Sequence, residues 1–278
     1  MSQIEDAVAQ HYTTGALTER LRAALEESGV DPDAATVADL KAGDEFHTGG
    51  VLATDHLFAQ LAPTHATRVL DVGCGIGGTS RYIADRYDST VTGVDLTPEF
   101  VETATELSDI VGLSEKTSFL VGSALELPVA DAAFDLAVML HVGMNIEDKT
   151  ALFSEAARAL ATSGTFALFD VMGGEAAEPL DFPLPWSTMP GTSFVDAPDV
   201  YRDAAAAAGL ELVAESDRTD FALTFFEEVF ARIAESGPAP LGIHLMMGET
   251  APEKFKNYVT NLKAGRIRPT EMIFKKTG

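Results

Sequence analysis

Between residues 67 and 171 the chain alternates short β-prone apolar runs with amphipathic stretches, a rhythm that predicts strands joined by crossover helices. Strands are expected over 67–72, 90–94, 117–121, 134–140 and 164–171, and helices over 78–87, 98–111 and 147–161. Thr97 before Pro98 reads as an N-cap followed by proline at the first helical position. Upstream, apolar residues at helical spacing predict helices over 4–10, 17–28 and 51–61, punctuated by Gly15, the turn Gly29-Val30-Asp31-Pro32 and Pro63. After Asp170 the alternation breaks. Residues 173–196, rich in Gly, Pro and acids, contain Pro183-Leu184-Pro185-Trp186 and read as a lid or substrate loop. A helix over 198–208 closed by Gly209, a strand over 210–214, amphipathic helices over 221–235 and 252–264, and a late strand over 271–275 complete the pattern. His244-Leu245-Met246-Met247 reads as apolar packing. The whole implies an α/β chain built on a doubly wound, mostly parallel, seven-stranded sheet. Its expected parts are an N-terminal helical cap (1–62), a ligand-binding core (63–172), and a lid with completing elements of the sheet (173–278).

The densest signal is Val69-Leu70-Asp71-Val72-Gly73-Cys74-Gly75-Ile76-Gly77-Gly78, a buried strand running into a glycine-rich turn and then a helix. That is the layout of a Rossmann-like nucleotide-cofactor site. Glycines bend the chain tightly and, lacking Cβ, let a ligand lie on backbone N–H groups at the helix start. Asp95 ends the next strand, where an acid can accept hydrogen bonds from both ribose hydroxyls. Gly73, Gly75 and Gly78 satisfy the dinucleotide spacing, so spacing alone leaves NAD open as the cofactor. Asp71 weighs against it. A pyrophosphate there would meet an extra negative charge, whereas a cationic sulfonium without phosphates would not. Cys74 reads as a small side chain packed under the turn.

The charge balance narrows the partners. With 19 Lys+Arg against 43 Asp+Glu the net charge is −24, which repels a phosphate backbone and an anionic lipid surface. Nucleic acid and membrane are therefore not expected partners; such acidity also suits a salty habitat. The first residues lack a basic segment followed by an apolar core, and no apolar run approaches membrane-spanning length, so the cytoplasm is the expected location. The single cysteine excludes an internal disulfide. The six histidines, at 11, 47, 56, 65, 141 and 244, show no clustered ligand spacing, so no metal is expected.

Asp71 before the glycines and the later segment Gly122-Ser123-Ala124-Leu125-Glu126-Leu127-Pro128 resemble class I S-adenosylmethionine-dependent methyltransferases. Within that class, Glu45-Phe46-His47-Thr48-Gly49-Gly50-Val51-Leu52-Ala53-Thr54 and Gln10-His11-Tyr12-Thr13-Thr14-Gly15 look like elements of phosphoethanolamine methyltransferases. The tail from Leu262 to Lys276 is similar to the closing helix and strand of sarcosine/dimethylglycine methyltransferases. The resemblance implies S-adenosylmethionine as cofactor. Asp71, Gly73, Cys74, Gly75 and Gly77 would border its methionine part, and Thr48 would meet the methionine carboxylate. Asp95 would hold the ribose, and Leu96, Ser123, Ala124, Leu125 and Leu140 would surround the adenine side. Ser123 stands where an aspartate is commoner, leaving a neutral acceptor for the adenine amino group.

The strongest departure from these relatives follows the fourth strand, at His141-Val142-Gly143-Met144-Asn145. The relatives' histidine, which pairs with an N-terminal tyrosine beside the accepting amine, falls on Asn145. A dyad with Tyr12 would have to be rebuilt from His141 or His47, which leaves His141, His47 and Tyr12 as catalytic candidates and Asn145 and Trp186 as substrate contacts. The reaction implied is an in-line displacement on an activated methyl group, needing alignment, exclusion of water and a base for the acceptor proton. The acceptor expected is a small molecule, first an amine. Residues 173–200 contain Glu175, Glu178, Asp181, Asp196 and Asp199 and no Lys or Arg, so the lid lacks a clamp for phosphate and favours a neutral or cationic amine. Lys254, Lys256, Arg266 and Arg268 are assigned to solvated helix ends. O- or C-methylation of a phenol or quinone-type metabolite, an NAD-dependent oxidoreductase and a silent cofactor binder stay open, as does a homodimer.

Overall fold

The computed structural model describes residues 2–277. Four helices, α1 (Gln3–Tyr12), α2 (Leu17–Glu27), α3 (Val37–Asp44) and α4 (Val51–Leu61), precede the alternating core. The core runs β1 (Arg68–Val72), α5 (Gly78–Tyr87), β2 (Thr90–Asp95), α6 (Pro98–Ile110), β3 (Thr117–Val121), β4 (Phe134–Leu140), α7 (Lys149–Ala159) and β5 (Leu160–Gly173). After the lid come α8 (Pro198–Ala207), β6 (Leu210–Asp217), α9 (Thr219–Ser236), α10 (His244–Met247), α11 (Ala251–Lys263) and β7 (Ile267–Lys276).

The seven strands lie in the order β3-β2-β1-β4-β5-β7-β6, parallel except for β7, which pairs antiparallel with both neighbours. Because the chain builds outward from β1 to β3 and then returns to β4 on the other side of β1, the carboxyl ends of β1 and β4 diverge into a crevice. Such a switch point is where open α/β sheets bind ligands. One face of the sheet is sealed by α7 and α8, with Phe153, Phe166, Tyr201 and Phe274 fully buried. The other is sealed by α4 and α5 through Leu57, Phe58, Val69 and Ile83.

Most predicted elements match to within a few residues, and the differences have local causes. Helix α3 was hidden by its charged sequence. It forms because Asp39 and Thr36 close a capping box and because Asp44 reaches the fully buried Arg81 at 2.9 Å. Strands β5 and β7 are longer than predicted, since their antiparallel ladder carries Arg268, Thr270 and Glu271 into the sheet. Thr97 does occupy the N-cap of α6, but its hydroxyl makes no capping bond; its N–H instead donates to Asp95 Oδ1 at 2.9 Å.

The lid is a packed loop. Trp186 is 2% exposed, donates from Nε1 to Ser193 Oγ at 3.0 Å, and meets Tyr258 edge-on, joined by Leu184, Val171 and Leu262.

Candidate active site

A cavity of about 1160 Å³ opens over the carboxyl ends of β1, β2 and β4 and is roofed by α1, α9 and the 237–243 turn. Its floor is the turn after β1. Gly73, Gly75 and Gly77 all have positive φ, and a Cβ on Gly75 would point into open space, whereas one on Gly78 would strike the Asp44 carbonyl oxygen at 1.9 Å. The turn is thus bare toward the cavity and clamped against α3 behind. Cys74 packs beneath it: a Cβ on Gly93 of β2 would come 2.8 Å from its sulfur.

Three acids ring this end. Asp95 accepts from Gly75 N at 2.9 Å through Oδ2 and from Thr97 N through Oδ1, so both oxygens are fixed while each keeps a free lone pair. Burial raises its pKa, against the pull of those bonds. Asp71, 2% exposed, accepts from Ser80 Oγ at 2.6 Å. Burial pushes its pKa up to about 7, with Glu45 and Asp95 adding to the rise. Glu45 is buried too, which alone would raise its carboxyl, but His47 at 2.8 Å and Lys41 at 2.9 Å hold it well below the ordinary range.

The adenine-side candidates Leu96, Ser123, Ala124 and Leu125 line the cavity beside Asp95, and Leu140 lines it at the end of β4. Ser123 Oγ accepts from Leu125 N at 3.0 Å and donates to Glu5 of α1, so a carboxylate from the helical cap stands where the sequence led us to expect only a neutral acceptor. Thr48 lines the cavity as well, its hydroxyl 2.7 Å from that of Tyr258.

The expected dyad of Tyr12 with a histidine does not form. Tyr12 donates to Asn145 Oδ1 at 2.9 Å, and Asn145 Nδ2 donates to the Trp186 and Thr192 carbonyls at 2.9 and 3.1 Å. Asn145 is therefore a tie between α1, β4 and the lid, and burial, with Asp95 and Asp170 nearby, drives the Tyr12 pKa far up. His47 is also engaged at both ring nitrogens: Nε2 donates to Glu45, and Nδ1 lies 3.4 Å from the Thr48 carbonyl. His141 differs. Its Nε2 is buried with no partner, its ring sits 4.8 Å from that of Phe169 and 6.0 Å from that of His47, and its φ is +54°. Burial, with His47 alongside, lowers its pKa well below the ordinary histidine value.

From the lid only Pro185 and Trp186 reach the cavity, which corrects the expectation that its acids face the acceptor. Asp181 pairs with Arg266 at 2.8 Å, Asp196 with Lys149 at 2.8 Å, and Asp199 with Arg202. Lys254 was also misplaced: it is 4% exposed and donates to the Met247 carbonyl. His244 lines the cavity while Met246 and Met247 are buried. Residues missed from sequence include Glu5, Lys41, Glu45 and Arg232, all cavity-lining. Glu45 opens the recognised Glu45–Thr54 segment but was given no role there; Lys41 needed α3 to be seen. No group of three His, Cys, Asp or Glu able to hold a metal occurs among the described residues.

Residues 70–168, running from within β1 into β5, match a family described as a methyltransferase domain. Ajmaline N-methyltransferase of Rauvolfia serpentina is 41% identical over 100 residues, 36% of this chain and 34% of that enzyme, so the chain spans about a third of this curated relative's length. Geranyl diphosphate C-methyltransferase of Streptomyces coelicolor A3(2) superposes with a TM-score of 0.73 at 17% identity, covering 99% of this chain and 98% of its own. Phosphoethanolamine N-methyltransferase 2 of Haemonchus contortus gives 0.74 at 17%, covering 100% of this chain and 60% of its own. These likenesses establish the fold as that of methyltransferases.

Proposed function

We propose that the protein transfers a methyl group from S-adenosylmethionine to a small-molecule acceptor. The observation that carries the reading is the charge of the site. Asp71, Asp95 and Glu45 stand around a bare glycine turn, and their mutual repulsion helps to raise the Asp71 pKa to about 7. A cationic cofactor relieves that repulsion, and a pyrophosphate aggravates it. S-adenosylmethionine, when bound, supplies a methyl group already activated on a sulfonium.

The chain's own residues supply the rest. Asp95, its oxygens preset by Gly75 and Thr97 N–H groups, suits a ribose diol; Asp71 and the N–H groups of the turn suit the methionine ammonium and carboxylate. Helix α1, held by Tyr12 and Asn145, and the packed lid around Trp186 keep water from the acceptor side. His141 offers the free ring nitrogen and, its pKa being low, stands neutral and ready to take a proton. An amine nitrogen is the first acceptor atom to test, as the name of the 41%-identical ajmaline enzyme suggests, with a phenol oxygen next, as that of a probable tocopherol O-methyltransferase 46% identical over 93 residues suggests. An acceptor other than nucleic acid accords with the net charge of −24.

Calorimetry with S-adenosylhomocysteine and NAD, followed by a labelled methyl-transfer screen over amines, phenols and carbon acceptors, tests the reading. Binding of NAD and not of S-adenosylhomocysteine would reject it.

A further inference from the structure

The cavity has two chemically distinct ends. Every carboxylate that lines it comes from residues 1–148; between Pro185 and Tyr258 the lining contains no acid, and its one charged side chain is Arg232. This second half is built from the face of α9 that carries Phe225, Val229 and Ile233, spaced four residues apart, with Leu241 and Ile243 of the following turn, and with Phe255 of α11 packed against Phe226 beside it. Ile233 is 41% exposed and sits at the rim, a large apolar side chain left in solvent next to the cavity.

Size sharpens the contrast. Pockets for drug-sized ligands span roughly 300–1,000 Å³, so a cavity of about 1160 Å³ has room for a nucleoside cofactor and a second molecule of substantial size. A metabolite of a few heavy atoms would leave the α9 face lined by apolar groups with nothing against them. A protonated amine lying on this face would also find no carboxylate among its lining residues.

Resting on the methyl-transfer reading, we infer that the acceptor is a bulky, largely hydrocarbon molecule, fused-ring or long-chain. It enters uncharged at its methylated atom, its body lies along the apolar face of α9 and the 237–243 turn, and any anionic or hydrogen-bond-accepting group it carries meets Arg232 at the mouth. Sarcosine, ethanolamine and phosphoethanolamine are then too small and too polar to be its acceptors, and the preference for a cationic amine drawn from the lid acids falls with the placement of those acids.

The test uses the full chain loaded with S-adenosylhomocysteine and titrated with anilinonaphthalene sulfonate, an apolar two-ring anion, by fluorescence and calorimetry. Saturable one-to-one binding is expected, undisturbed by excess sarcosine or phosphoethanolamine. Val229→Glu, and at the tolerant rim Ile233→Glu, should weaken it by about tenfold or more, since each sets a charge against apolar surface, while S-adenosylhomocysteine affinity in the same variants confirms that they fold. A protein that binds S-adenosylhomocysteine but not the apolar anion, or binds it with no sensitivity to either variant, would overturn the acceptor assignment and leave the cofactor reading standing. Failure to bind S-adenosylhomocysteine at all would overturn both.

Discussion

The Tyr12 phenol donates to Asn145 Oδ1 across 2.9 Å, joining residues 133 apart in sequence and fastening α1 over the mouth of the β4 crevice. Since Asn145 also donates to the Trp186 and Thr192 carbonyls, one amide holds cap, sheet and lid together. Tyr12→Phe removes a single bond and should cost about 0.5–1.5 kcal/mol, whereas Asn145→Ala strands three partners, the buried Trp186 carbonyl and the half-buried Tyr12 and Thr192, and should cost more, about 2–4 kcal/mol. Urea unfolding measures both. A larger loss for Tyr12→Phe than for Asn145→Ala would contradict the assignment of Asn145 as the common tie.

Asp71 predicts a proton coupled to cofactor binding. Its folded pKa, about 7, lies above that of a free carboxyl, so the folded state loses stability as pH rises from about 4 to about 7 and the carboxyl ionises in place. A ligand ammonium beside it favours the carboxylate, so S-adenosylhomocysteine binding should release up to about half a proton near pH 7 and approach about one proton near pH 6. Calorimetry in buffers of different ionisation enthalpy counts that proton. Asp71→Asn should abolish the release and flatten the stability change; release unchanged in the variant would place the titrating group elsewhere.

Asp95, the last residue of β2, should carry a large share of the cofactor affinity. Gly75 and Thr97 N–H groups preset its oxygens, so little ordering remains to be done on binding. Asp95→Ala should weaken S-adenosylmethionine and S-adenosylhomocysteine alike by about 1–3 kcal/mol, the range for charge-assisted hydrogen bonds. Asp95→Asn keeps the acceptor oxygen but adds an NH₂ group, and should fall between. Equal affinity of wild type and Asp95→Ala would remove Asp95 from the site.

How much of this was legible in the sequence depends on the range of the interactions. The β1 turn, α5 and Asp95 could be read because glycine geometry and a strand-end acid are local signals, and those residues do line one end of the cavity. Glu5 meeting Ser123 could not, since only the fold brings that pair together; the resemblance put Asn145 where the relatives' tyrosine finds its partner, but not the bonds by which that amide also holds the lid. The lid acids misled for the same reason: composition records that Asp181 and Asp196 are acidic, but not that Arg266 and Lys149 hold them away from the cavity. The apolar face of α9 was predicted as a helix face, yet its periodicity is the same whether a core or a ligand covers it.

His141 combines a left-handed backbone with an unpartnered buried nitrogen, an arrangement that works against stability. A non-glycine residue at positive φ costs about 1–2 kcal/mol, and removing the Cβ relieves it. His141→Gly should therefore be more stable than His141→Ala by roughly 1 kcal/mol, although it packs less against Phe169. Both variants should lose turnover by about 100-fold or more on the best acceptor, within the range for losing a general base. Because the His141 pKa is depressed by burial, the wild-type rate should stay level down through the ordinary histidine range and fall only at lower pH, where the ring protonates. His47→Asn, by contrast, should act through Glu45 and the Thr48 segment and show first in cofactor affinity. A wild-type rate that already falls at the ordinary histidine pKa, or a His141→Ala enzyme with full turnover, would move the proton acceptor away from His141.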